Sequence, residues 1–107
     1  MSYITDVVVV VWFARDEVEK ELLAPLPFDT ERHQSLRKLD MDGAGGSKYF
    51  MGDVYAAAFN YLLCDEFETW IRGLPWGNDR AVVSMLTEDM PLATFTVGTE
   101  RERLWWG

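Results

Sequence analysis

Five consecutive valines, Val7 to Val11, followed by Trp12 and Phe13, commit this chain to a sheet built around one strand. β-Branched side chains lose rotamer freedom in a helix and fit a pleated, packed surface. A run without polar alternation is expected of a strand covered on both faces or lying centrally in a sheet. A helix is expected next. In "DEVEKELLAPL", Asp16 stands three residues before Glu19 as a capping pair, Val18, Leu22 and Leu26 fall at helical spacing, and Pro25 and Pro27 end the element.

The segment "FDTERH", residues 28–33, reads either as another helical turn or as a loop. "SLRKLDM" reads as a second strand, with Leu39 and Met41 facing the core in register with Arg37, and Lys38 and Asp40 pointing outward. Between Asp53 and Leu74 the apolar spacing fits one long helix or a strand followed by a helix. A second capping pair, Asp65 and Glu68, decides for the division, because a helix start has no place inside a continuous helix. "AVVSMLTE" and "LATFTVG" then read as two strands joined by a tight "DMP" connection.

The order β-α-β-β-α-β-β follows. Its first six elements form the split βαβ pattern of the ferredoxin-like fold: an α+β domain with an antiparallel sheet of four to five strands and two helices on one face. Right-handed crossovers would set the first and third strands side by side at the centre. A chain of 107 residues is one domain, able to bury roughly two thirds of its unfolded surface. Residues 99–107, "TERERLWWG", read as either an extra strand or a tail.

Eighteen acidic against ten basic residues give a net charge of −8, which repels nucleic acid and anionic membranes and favours a basic partner. The lone Cys64 cannot form an internal disulfide, so a reducing compartment is expected. No Lys or Arg precedes the first apolar run, and Val7 to Ala14 is too short to span a bilayer. A cytoplasmic protein is the expectation.

Candidate chemistry is sparse. "MDGAGGSK", residues 41–48, lacks the spacing of a phosphate-binding loop, since Ser47 precedes Lys48 and a strand rather than a helix follows. It reads as a flexible connection between antiparallel strands. His33 is the only histidine and stands among Arg32, Gln34 and Ser35, without a sequence partner for a triad. Cys64 precedes a helix start, where a dipole would activate an accessible thiol, although free cysteines usually pack. The pairs Asp16–Glu17, Asp40–Asp42, Asp65–Glu66 and Glu88–Asp89 fall at helix starts or turns and match no calcium-loop spacing. No cofactor or metal is expected.

Two binding features remain. "DVYAAAFNYL" places alanines among large residues. Ala56 and Ala58 could lie under a helix, or form the floor of a pocket on the open sheet face walled by Tyr55, Asn60 and Tyr61, with His33 nearby. Trp105 and Trp106, adjacent after four charged residues, cannot both face inward from a strand, so at least one is a candidate protein contact. The expectation is a small acidic non-enzymatic binding protein that forms a homodimer or engages a protein partner, in the manner of an immunity protein, an inhibitor or a phage accessory protein. The alternative is a ligand-binding domain or minor enzyme with a pocket on the sheet face. Acidic mimicry of nucleic acid is a third class, which would need carboxylates in rows.

Overall fold

The valine run forms the middle of a five-stranded antiparallel sheet. A computed structural model describes residues 4–12, 14–40, 52–77, 79–87 and 93–98. The elements are β1 (Ile4–Val11), α1 (Asp16–Leu23), β2 (Arg37–Lys38), β3 (Asp53–Asn60), α2 (Cys64–Arg72), β4 (Arg80–Thr87) and β5 (Ala93–Gly98), and the strand order is β2-β3-β1-β4-β5. The chain is thus α+β. Five strands fall within the four to five expected, and β5, beyond β4, makes the strand order differ from the four-stranded ferredoxin-like one.

Register sets the layers. Residues opposite one another point to the same face, so Lys38, Tyr55, Val9, Val83 and Phe95 form one row across all strands. Ala57, Val7, Met85 and Ala93 form the next row, and Asp53, Val11, Ala81 and Val97 flank the first on its other side. Both helices cover this face: Val18 and Leu22 of α1, and Phe67 and Ile71 of α2, share one buried cluster with Val7, Val9 and Val11. Each helical pair is spaced four residues apart, which puts it on one stripe. Of the two expectations for the valine run, the central place in the sheet holds and cover on both faces does not, since Val8 and Val10 are more than a third exposed.

The helix ends differ from the capping pattern read in the sequence. Arg15 and Leu63 occupy the cap positions and neither helix has a side-chain cap. Glu19 is instead drawn to Lys38 and Tyr55, and Glu68 to Arg72. α1 stops at Leu23 because Ala24, preceding Pro25, takes extended backbone. Leu26 is buried beyond the helix rather than on its stripe. At the far end of α2 the buried Trp76 indole N–H donates to the Ile71 carbonyl at 2.7 Å, satisfying one of the helix's terminal acceptors.

The second strand is shorter than expected, and its facing is shifted by one residue. Leu36 is buried and Leu39 is exposed, while Lys38 points under α1 rather than outward. Met41 and the glycine run 41–48 lie outside the described residues. They fall in the connection between the antiparallel neighbours β2 and β3. Gly98 ends β5 with φ +113, and a Cβ there would clash with the Asp79 carbonyl oxygen. Gly98→Ala should therefore lower the melting temperature by several degrees, and an unchanged thermal melt would disprove that steric account.

Candidate interaction surface

The even-numbered residues of β1 define the other face of the sheet. Val54, Val10, Val82 and Thr96 form one row, Arg37, Ala56, Val8, Ser84 and Thr94 a second, and Ala58, Asp6 and Leu86 a third. No described helix covers these rows. Val8, Val10 and Val82 are 38%, 36% and 42% exposed, Leu86 50% and Trp12 63%, whereas Val54 in the same layer is buried. The result is an apolar centre with a polar margin of Arg37, Asn60, Arg80, Thr94 and Thr96, the arrangement found in protein interfaces. Asp6 is the only carboxylate among the described strand residues that point this way. Contiguous exposed apolar surface of this kind marks contact sites.

Ala56 and Ala58 lie on this open face, and it is Ala57 that faces the helices. The reading that puts a helix over Ala56 and Ala58 is thus corrected. Tyr55, expected on the open face as a pocket wall, is also corrected: it is wholly buried on the helix side. Its register against Val9 dictates this, because strand neighbours alternate faces.

Tyr55 belongs to a polar cluster between α1 and the β2–β3 edge. Its hydroxyl donates to Glu19 Oε1 at 2.7 Å, and Lys38 Nζ donates to the same oxygen at 2.8 Å. Lys38 also lies 3.7 Å from Asp53 Oδ1, and Asp53 Oδ2 accepts the Ala14 N–H at 3.0 Å. The hydrogen bond from Lys38, then that from Tyr55, holds Glu19 below its ordinary pKa of 4.5. The Glu19 hydrogen bond raises Lys38, and burial followed by Glu19 raises Tyr55 strongly. Each shift favours the resting form: a charged lysine, a charged carboxylate and a neutral phenol. Neither a nucleophilic amine nor a phenolate is generated, so the cluster fastens α1 to the sheet.

Its linkage to stability has a definite sign. The Glu19 carboxyl is depressed on folding, so its contribution is complete above pH 4.5 and is lost as pH falls through the folded value. Lys38 is raised, so its contribution is complete below 10.5 and disappears only as pH rises above that. Glu19→Gln should flatten the acid limb of a plot of melting temperature against pH below 4.5 while leaving a native spectrum. An unchanged acid limb would contradict the role given to Glu19. Tyr55→Phe should cost about 1 kcal/mol at neutral pH, measured by urea unfolding.

The remaining pocket residues meet at a different corner. The Gln34 side-chain amide clips the end of β3, donating to the Asn60 carbonyl at 3.0 Å and accepting the Asn60 N–H at 2.8 Å. Gln34 also donates to Asp29 Oδ2 at 3.1 Å. Burial pushes the Asp29 carboxyl up, but the Gln34 amide, the Arg32 N–H and the Arg32 charge outweigh it and leave it below 3.8. His33 and Tyr61, which flank this clip, adopt φ of 54° and 52°, and the Arg32 guanidinium lies over the Tyr61 ring. His33, Asn60 and Tyr61 thus gather at an exposed corner, apart from Tyr55. Sequence reasoning missed Gln34, Glu19 and Lys38. The last two carry an ordinary helix-surface and strand signal, and only tertiary register joins them.

Cys64 is the first residue of α2, half-buried, with its thiol directed at the Leu62 carbonyl. Among the described residues no three His, Cys, Asp or Glu side chains are grouped to hold a metal, and no helix is long and apolar enough to cross a membrane. Trp105 and Trp106 lie outside the described residues. The chain matches no protein-family model, and no curated protein or solved structure is significantly similar to it.

Proposed function

We propose that this protein is a small acidic binding module without catalytic activity, which self-associates or engages a protein partner through the uncovered face of its sheet. The observation that carries the reading is the apolar centre Val8, Val10, Val82 and Leu86, exposed on strands that have no described helix above them. The same reading treats the first six elements as a ferredoxin-like split βαβ unit. The side-by-side placement of β1 and β3, with β2 and β4 outside them, supports it, and β5 is an addition at the β4 edge.

Area limits how tightly the sheet alone can bind. Strands of 8, 2, 8, 8 and 6 residues, at about 3.3 Å per residue and about 4.8 Å between strands, span roughly 500 Å², well below the ~800 Å² per partner of a standard interface. The sheet alone therefore supports a reversible contact, and Trp105 and Trp106 are assigned the role of enlarging it. Sedimentation over a concentration range tests this, together with capture of a partner from the native extract. The paired change Trp105→Ala and Trp106→Ala should weaken whichever association is seen by roughly tenfold or more. Wild type and variant that are both strictly monomeric and capture nothing would refute the proposal.

A further inference from the structure

Charge is distributed unevenly between the two sides of the sheet. Asp6 is the only carboxylate among the described open-face strand positions, whereas α1 carries Asp16, Glu17, Glu19 and Glu21, and α2 carries Asp65, Glu66 and Glu68. On the outer side of α2 is a groove of about 380 Å³ lined by Pro27, Phe28, Glu66, Thr69 and Trp70. Ligand pockets run from about 300 to 1,000 Å³, so this one is sized for a single side chain and its flanking backbone.

Two of its walls are aromatic and fixed. The Phe28 and Trp70 rings meet edge to face with centroids 6.2 Å apart and planes at 61°. Trp70 is backed by the wholly buried Phe67 at 5.4 Å, which holds the indole in place. The neighbouring charges are compensated: Glu68 pairs with Arg72 at 2.8 Å, and Asp29 is held by Gln34 and Arg32. Glu66 forms no ion pair or side-chain hydrogen bond among the described residues.

A fixed ring face attracts a cation through its quadrupole, and an uncompensated carboxylate at the rim adds to that attraction. Acceptors inside the groove are few, so the five donors of a guanidinium would go unsatisfied. An alkylated ammonium needs none. We propose that the groove formed by Phe28, Trp70 and Glu66 docks a lysine side chain, best in its methylated form, from a basic protein partner. The net charge of −8 steers such a partner toward the acidic helices. The site lies on the opposite side of the sheet from the apolar face and stands independently of it.

The test uses the isotopically labelled full chain and three probes: an otherwise neutral peptide carrying one trimethyllysine, the same peptide with norleucine at that position, and tetramethylammonium chloride. The Trp70 indole signal, assigned with Trp70→Phe, and the Glu66 and Thr69 amides should shift saturably with the trimethyllysine peptide and not with the norleucine one. Glu66→Gln, on an exposed position that leaves the remaining spectrum unchanged, should weaken that binding about three- to tenfold. Absence of a saturable shift overturns the proposal, as does equal binding of the norleucine peptide or an unchanged affinity in Glu66→Gln. Binding of tetramethylammonium alone would assign the groove to a free organic cation and overturn the protein partner.

Discussion

Val10→Asp should leave the protein folded and abolish its association, whereas Val9→Asp, one residue away, should prevent it from folding. Val10 is 36% exposed on the open face between Val54 and Val82, and Val9 is wholly buried between Tyr55 and Val83. On the open face aspartate keeps its water, so the stability change is confined to strand preference, about 1 kcal/mol. In a sheet-mediated complex the same carboxylate would be buried without a partner, at a cost of about 3–5 kcal/mol, or a loss of affinity on the order of 10²- to 10⁴-fold. At Val9 that burial cost falls on the fold itself, whose total stability is only about 5–15 kcal/mol. Circular dichroism and sedimentation of the two variants separate the outcomes. A folded Val10→Asp that associates like wild type would remove the sheet face from the binding surface.

Phe67→Ala should be the most damaging truncation in the helical layer. Phe67 is wholly buried, packs on Phe59 with ring centroids 6.1 Å apart and supports Trp70. Removing the ring leaves a cavity that the sheet below cannot fill, at about 3–5 kcal/mol. Leu23→Ala is the control, since Leu23 is 39% exposed and its truncation should cost well under 1 kcal/mol. Urea unfolding measures both. Equal midpoints for the two variants would mean that α2 is not anchored through Phe67.

The alternation of strands and helices was legible in the chain because β-branched runs and apolar stripes at helical spacing are local signals. The division of residues 53–74 into β3 and α2 is a case in point: the small and aromatic residues to Asn60 pair with β1, and Phe67 and Ile71 take the helical stripe. Facing was less legible. Five identical valines carry no alternation, so nothing in β1 itself says that Val8 and Val10 face away from the helices. The two-residue β2 is set by tertiary contacts, with Lys38 held by Glu19 and Leu36 buried, and a sequence window cannot supply either. The capping pairs failed for a related reason: Glu19 finds a stronger bond to Lys38 and Tyr55 than to its own backbone.

The binding surface was legible only in part. Trp105 and Trp106 stand out by composition, but the open face arises from register, and the groove at Trp70 from a loop residue, Phe28, meeting α2. Tyr55 misled because its hydroxyl suggested a pocket wall, while its position opposite Val9 buries it.

The most direct test of the open face is methyl-resolved NMR of valine- and leucine-labelled protein with a soluble paramagnetic agent, in the dilute monomer and in the associated form. Strong relaxation of the Val8, Val10, Val82 and Leu86 methyls is expected in the monomer and their protection on association, with Val7, Val9 and Val83 protected throughout. Methyls of the open face that are already protected in the dilute monomer, or that stay exposed in the complex, would contradict the proposed role of this face.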